Sequence, residues 1–150
     1  MDRETRKQQL RAKYGGPGFD AVLRLQDDDR FFRTFDELDQ MDPDFTRTWL
    51  DHIYGHMYNR GKLDDRTRTL VIIGECVAGG ADYRGVLPLH IGSALKAGAS
   101  KEEILEVILQ AHIYCGVPKM VGALYIFRRV MKETGLWNLP DSVFAASAQA

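Results

Sequence analysis

The sequence predicts an all-α fold of about six or seven helices. Apolar residues recur at helical spacing along most of the 150-residue chain, and no segment shows the alternation that is typical of strands. Glycine, proline and capping residues separate the periodic segments. Apolar residues make up 45% of the chain and charged residues 27%, which is typical of a globular domain. We therefore expect helices that pack around a hydrophobic core.

Residues 1–40 predict a helical extension that precedes the main domain. Residues 3–13 are mostly polar and the helix-breaking segment 14–18 follows them, so we expect a loosely attached first helix and then a hinge. Between residues 19 and 38 the apolar positions form a helical stripe that the acidic segment 27–30 interrupts. One helix or two shorter helices both fit this pattern.

The main domain is predicted to span residues 41–138. Asp42 and Pro43 are typical of a helix start. Four apolar residues at intervals of four form the predicted buried face of this helix: Phe45, Trp49, Ile53 and Met57. Asp64 or Asp65 can cap the next helix, and its segment 70–78 is apolar enough to be buried nearly all round.

Glycines and caps divide the second half of the domain. Gly79 and Gly80 end the apolar helix, and Asp82 can cap another helix that runs to the glycine at position 98. Ser100 and Glu103 fit a capping box that opens a helix over 101–115. A glycine and a proline at 116 and 118 break that helix, and a last helix is predicted over 119–134. A tail rich in small residues follows at 139–150.

Bulk properties exclude several classes of protein. Twenty basic and 21 acidic residues leave a formal net charge of −1, so no net field attracts nucleic acid or an anionic membrane. No stretch reaches the roughly 20 apolar residues that span a bilayer. Two cysteines are too few for a secreted disulfide framework, and the charged N-terminus lacks an apolar signal core. We expect a cytoplasmic protein.

Glu75 is the first candidate for chemistry, because it lies in the most apolar predicted helix. Burial in that setting would raise the pKa of the carboxyl group unless a cation pairs with it, and a raised pKa suits general acid or base catalysis near neutral pH. The alternative is a structural ion pair with Arg66, Arg68 or Arg84.

Three further positions are candidates. His90 has an ordinary pKa near ~6.5 that suits proton transfer, although an isolated histidine is often only a core or surface residue. Tyr114 lies near the helix break at Gly116, where ordinary packing is the alternative. Arg66 and Arg68 open a helix and either form surface ion pairs or hold a substrate carboxylate through bidentate hydrogen bonds.

Metal and redox chemistry have little support in the sequence. His52 and His56 lie four residues apart, a spacing that zinc could use, but no third ligand is evident and no metal is expected. Cys76 and Cys115 do not form a Cys-x-x-Cys motif, so we expect buried, inert thiols. No nucleotide-binding loop or hydrolase elbow is present, so no organic cofactor is expected. Broad burial on the helices at 66–78 and 101–115 favours self-association.

The order of four segments resembles the carboxymuconolactone decarboxylase family, which also contains the alkylhydroperoxidase D-like proteins. These segments are Gly61–Leu70, His90–Gly98, Ser100–Glu106 and Tyr114–Pro118. The resemblance covers residues from about 41 to 136. It implies an all-α fold with a helical-hairpin core, assembled into trimers or a hexamer with active sites near subunit contacts. In decarboxylase-type members it implies a γ-carboxylated unsaturated lactone as substrate, from aromatic catabolism, and no cofactor.

Site residues carry over by position. His90 matches the family histidine, Tyr114 begins the Tyr-x-Gly-x-Pro turn, and Glu75 takes the acidic position on the preceding helix. In the peroxidase branch a Cys-x-x-Cys pair precedes the histidine, and its two positions fall here on Tyr83 and Val86. The resemblance therefore implies the branch without thiol-based peroxide reduction.

The predicted function is a cofactor-independent lyase for a small carboxylated lactone or a related enolisable acid. Glu75 and His90 would share proton transfer, Arg66 or Arg68 would hold the carboxylate, and Tyr114 would donate a hydrogen bond. Two alternatives remain open. One is a non-catalytic or ligand-binding homo-oligomer of the same fold. The other is residual thiol redox chemistry through both cysteines.

Overall fold

Eight α-helices make up most of residues 2–26 and 29–138, the residues that the computed structural model describes. They are α1 (Arg3–Tyr14), α2 (Pro17–Leu25), α3 (Asp29–Met41), α4 (Pro43–Leu50), α5 (Asp65–Gly79), α6 (Leu87–Lys96), α7 (Lys101–Cys115) and α8 (Val117–Glu133). A π-helical segment, Asp51–Met57, continues α4, and a 3-10 segment, Gly80–Tyr83, follows α5. The all-α prediction is confirmed, whereas the count of six or seven helices is too low. The predicted tail at 139–150 lies outside the described residues.

The N-terminal helices pack into a core of their own. The first helix buries Leu10 and Tyr14, so the prediction that it is loosely attached is wrong. Two helices, α2 and α3, replace the single stripe predicted over 19–38, in agreement with the second of the two alternatives. Aromatic rings form the centre of this core, with ring centroids 5.2–5.9 Å apart among Phe31, Phe35, Trp49 and Tyr54. Four of these five ring pairs are edge to face and the Phe31–Trp49 pair is stacked, and both arrangements are favourable for aromatic pairs.

Helix α4 begins as predicted but buries a different face. Asp42 caps it, because its carboxylate accepts hydrogen bonds from the backbone N–H groups of residues 44 and 45. Phe45 is 53% exposed, so the predicted face is wrong. The buried face lies one residue further along: Thr46, Leu50, Tyr54 and Tyr58.

Close contact between two helices explains this shift. Gly18 on α2 lies so near that a Cβ there would be 3.0 Å from the Leu50 carbonyl oxygen and 3.3 Å from the Gly55 nitrogen. The two segments can approach this closely only because Gly18 has no side chain. This close contact directs Leu50 and the other residues of the buried series toward α2.

Helices α5 to α8 form the second core. Asp64 caps α5 by accepting a hydrogen bond from the Thr67 backbone N–H at 2.7 Å. It is one of the two residues that the sequence predicted as alternative caps. The prediction that α5 is buried nearly all round is wrong for the described chain, because Val71 is 48% exposed and Glu75 is exposed. Helices α6, α7 and α8 contact α5, and its buried residues lie on one face: Thr69, Ile73, Cys76 and Val77.

Most of the predicted breaks in this half are confirmed. Ser100 and Glu103 form the predicted capping box, and the glycines at 80, 98, 116 and 135 all adopt positive φ. The predicted start of α6 at Asp82 is wrong. Residues 80–83 form the 3-10 segment instead, and α6 begins at Leu87 with Pro88 in its first turn, where the missing proline N–H costs no hydrogen bond.

The two cores meet at α5, where Ile72 packs against both. Among the described residues, no helix combines the length and the hydropathy that crossing a membrane requires.

Two glycine substitutions should have opposite effects on stability. Gly18→Ala places a Cβ against the Leu50 backbone and should lower the free energy of unfolding by about 1–3 kcal/mol. Gly92→Ala, in the exposed interior of α6 with no atom within 4 Å, should raise it by up to about 1 kcal/mol through helix propensity. Urea unfolding of both variants measures the difference. Equal effects would contradict the close contact at Gly18.

Candidate functional site

The two early arginines on α5 have different partners. Arg66 forms an ion pair with Glu103 on α7, the surface pairing that the sequence left open. The Arg68 guanidinium instead lies over the ring of Tyr58, 5.4 Å from its centroid. Its Nε atom is buried and lacks a hydrogen-bond partner among the described residues. Arg68 is therefore the one of the two that remains available to hold an anion.

Tyr58 is a candidate site residue that the sequence analysis missed. It is buried, it stacks on Tyr54 with centroids 4.9 Å apart, and burial raises the pKa of its hydroxyl group to about 12. Arg68 opposes this rise, whereas Cys76, Asp65 and Glu75 add to it. The hydroxyl group is thus protonated at neutral pH and can donate a hydrogen bond. The buried series at intervals of four was the sequence signal that could have identified Tyr58.

Glu75 is exposed in the described chain, so the predicted burial of its carboxylate is wrong. It lies on the same outward side of α5 as Val71, away from the buried face. Within the described residues, the Glu75 carboxylate forms no ion pair with Arg66, Arg68 or Arg84. Its charge nevertheless raises the pKa of both Tyr58 and Cys76, which places Glu75 in their neighbourhood.

His90 lies on α6 and is half-buried. Burial lowers the pKa of its imidazole, so the ring is neutral at pH 7 and can accept a proton. Its Nδ1 atom is buried and has no hydrogen-bond partner among the described residues. Among the same residues, no hydrogen bond joins His90 to Glu75. The two side chains therefore do not form an acid–base pair within one described chain.

Tyr114 is the most exposed of the candidates. It lies in the last turn of α7 and is 88% exposed, two residues before Gly116, whose φ of 88° turns the chain into α8. No contact within the described residues joins Tyr114 to Glu75 or His90. Several exposed apolar residues surround it on α7 and the first turns of α8: Leu109, Ile113, Val117, Val121 and Tyr125. We call this set, together with Tyr114, the α7–α8 apolar face.

A cavity of about 270 Å³ opens where α5 ends and α6 and α8 begin. Two cations, Arg84 and Lys119, are among the residues that line it, and no acidic residue is. The others are small or apolar: Cys76, Val77, Gly80, Ala81, Leu87, Pro118, Gly122, Ala123 and Ile126. None of the five site residues predicted from the sequence lines this cavity. A second, apolar groove of about 470 Å³ lies between α7, α8 and residues 136–138.

Comparison with known proteins identifies the family. A sequence model described as the carboxymuconolactone decarboxylase family matches residues 43–129, more than half of the chain. The chain belongs to this family. An uncharacterised 15.0 kDa protein of Paracoccus denitrificans is 35% identical over 96 residues, which cover 64% of this chain and 72% of the relative.

Two relatives of the protein are named as decarboxylases. The 4-carboxymuconolactone decarboxylase of Acinetobacter baylyi is 28% identical over 69% of this chain and 76% of its own length. The nitrosuccinic acid decarboxylase of Metarhizium robertsii is 29% identical over 59% of this chain and 63% of its own length. The carboxymuconolactone decarboxylase family and these relatives support decarboxylase-like chemistry without fixing a substrate.

The sequence analysis also singled out two cysteines and a pair of histidines. Cys76 is buried and Cys115 is partly exposed, and both are free. The rings of His52 and His56 stack with centroids 6.4 Å apart. Over residues 2–26 and 29–138, no group of three histidine, cysteine or acidic residues could hold a metal ion.

Cys76 should resist thiol reagents in the native protein. Burial, and then the charge of Glu75, raise the pKa of its thiol to about 11, so only about one molecule in a thousand carries a thiolate at pH 8. In a Cys115→Ser variant, Ellman's reagent should modify Cys76 only slowly until guanidinium unfolds the chain. Rapid native-state modification would contradict this and would revive the thiol redox alternative.

Proposed function

We propose that the protein is a cofactor-independent carboxy-lyase for a small carboxylated lactone or a related enolisable acid. Family membership and the two decarboxylase relatives support the reaction class. The observation that carries the assignment is Arg68, a partly buried guanidinium without a carboxylate partner among the described residues. A guanidinium in this state binds a substrate carboxylate through charge-assisted hydrogen bonds.

The named substrates of the two relatives share a chemical feature. Each is an acid in which an electron-withdrawing group, a lactone or a nitro group, can stabilise a carbanion. The bond between the substrate carbon and its carboxylate breaks, CO₂ leaves, and the electron pair delocalises onto an oxygen of that group. A proton then adds to carbon. Such a reaction needs a carboxylate-binding cation, a donor to the developing oxyanion and an acid, and no cofactor.

We assign these roles as follows. Arg68 holds the carboxylate, and Tyr58 is a positioning residue because its ring supports the guanidinium. His90 and Glu75 share the proton transfer, and Tyr114 donates a hydrogen bond to the oxygen that becomes negative. Decarboxylation consumes one proton, and His90, which burial keeps neutral at rest, takes that proton from water and passes it to the substrate carbon.

A second candidate function is a ligand-binding oligomer without catalysis. The observation in its favour is that no hydrogen bond joins Glu75 to His90 within the described chain, and that Glu75 is exposed. The same fold supports different functions when the reactive groups are not brought together. Turnover measurements separate the two candidates.

We expect the purified protein to release CO₂ from 4-carboxymuconolactone or from a structurally related acid. Glu75→Gln and His90→Ala should each lower kcat by about 10²-fold or more, because each removes a proton-transfer group. Arg68→Gln should lower kcat/KM by a similar factor, about 3 kcal/mol of transition-state binding. Carbon dioxide release, followed by mass spectrometry, measures all three.

Arg66→Gln is the matched control for Arg68→Gln. It removes the same charge from the same turn of α5, but Arg66 is committed to Glu103, so activity should stay within about threefold of wild type. Equal losses in the two variants would contradict the role of Arg68. Substrate binding without any CO₂ release would favour the non-catalytic oligomer.

We also propose that the protein is a homo-oligomer, either a trimer or a hexamer. In it, a neighbouring subunit covers the α7–α8 apolar face of each chain. Six exposed apolar residues on two helices that contact each other are typical of a protein contact surface. Covering this face would place Tyr114 at a subunit contact and remove it from water. This supports an active site that more than one chain completes.

The assembly should depend on the α7–α8 apolar face. Size-exclusion chromatography with light scattering should give three or six chains per particle for wild type, and Ile113→Glu should shift the protein toward monomer because a buried, unpaired charge is costly. Met41→Glu, which adds the same charge at a residue that is 79% exposed on α3, is the control and should not change the mass. A monomeric wild type at micromolar concentration would overturn the proposal.

A further inference from the structure

Arg84 and Lys119 both line the cavity between the end of α5 and the starts of α6 and α8, although α6 and α7 lie between them in the sequence. The Lys119 Nζ atom donates a hydrogen bond to the Ala78 carbonyl oxygen at 2.5 Å. This bond satisfies a carbonyl at the end of α5 and fixes the ammonium group, which keeps further donors for a ligand.

The Arg84 guanidinium lies across α8 at the same cavity. A Cβ on Gly122 would be 3.8 Å from Arg84 Nη2, so the glycine leaves room beside the guanidinium. Asp82, the nearest acid in the sequence, forms no ion pair with Arg84 or Lys119 in the part of the chain that the structure describes. The first turns of α6 and α8 add two positive helix ends to these two cations, against one negative end from the last turn of α5. The local field at the cavity is therefore positive, although the chain as a whole is nearly neutral.

The rest of the cavity suits a carbon skeleton. Val77, Leu87 and Ile126 contribute apolar side chains to it. A volume of about 270 Å³ lies just below the ~300 Å³ lower end of ordinary ligand pockets, which fits a small metabolite. Inorganic phosphate would satisfy the two cations but would leave these apolar side chains without a contact.

We infer that this cavity binds the carboxylate of a small organic acid through Arg84 and Lys119. Arg84 supplies a planar fork of donors, and Lys119 supplies a positioned point charge. The inference goes beyond the proposed function: none of the five residues assigned to catalysis lines this cavity, so its ligand is a second organic acid and not the carboxylate that Arg68 holds. It adds two binding residues that the sequence analysis did not single out as substrate contacts.

Succinate binding, measured by titration calorimetry on the full chain at low salt, tests the cavity without turnover. Wild type should bind succinate, and succinamide, which has the same skeleton without charge, should not bind. Arg84→Gln and Lys119→Gln should each weaken succinate binding about tenfold, since each removes a charge-assisted hydrogen bond. Gly122→Leu, which fills the space beside the guanidinium while keeping both charges, should abolish binding.

Arg33→Gln on α3 and Lys62→Gln, both exposed and remote from the cavity, are the matched controls and should bind succinate like wild type. Thermal unfolding verifies that the cavity variants are folded. Phosphate that binds as tightly as succinate would overturn the assignment to a carboxylate, as would wild-type affinity in both Arg84→Gln and Lys119→Gln.

The result is separable from that of the proposed function. A chain that binds succinate through Arg84 and Lys119 but decarboxylates nothing would support the cavity assignment and overturn the lyase. An active lyase whose two cavity variants keep wild-type succinate affinity would overturn the cavity assignment alone.

Discussion

The one-sided packing of α5 is the constraint on which the rest of the structure depends. Helices α6, α7 and α8 cover one face of α5, and Ile72 joins this core to the aromatic core of the N-terminal helices. Because side chains in a protein interior are closely packed, α5 can adopt only one orientation about its own axis. In that orientation, Arg68 lies over Tyr58, Glu75 is exposed and Cys76 lines the cavity.

Local structure could be predicted because its causes are local. Asp42, Asp64 and Ser100 cap helices through backbone groups two or three residues away, so the sequence shows both partners at once. The face of α4 could not be predicted in the same way. It depends on Gly18, which lies in another helix and whose missing side chain lets α2 approach Leu50. Apolar periodicity alone allowed two adjacent faces, and the nonlocal contact selected one.

The candidate site shows the same division. The sequence indicated a small set of charged residues on α5 and α6, but it could not choose between Arg66 and Arg68, because Glu103 reaches Arg66 from α7. Burial of Glu75 was inferred from apolar neighbours along the chain, whereas burial depends on which side the other helices cover. Arg84 and Lys119 are separated in the sequence by α6 and α7, and they line one cavity only because α8 packs beside α5.

The exposure of Glu75 links the proposed chemistry to the proposed assembly. A carboxylate on an open surface is well solvated, and proton transfer with a half-buried histidine requires the two groups to be within hydrogen-bond reach. Within one described chain that condition is not met, and Tyr114 is also open to water. A neighbouring subunit over these surfaces would exclude water and strengthen every charge interaction at the site. We therefore propose that activity depends on oligomerisation, because a monomeric chain would lack the dry environment that this chemistry needs.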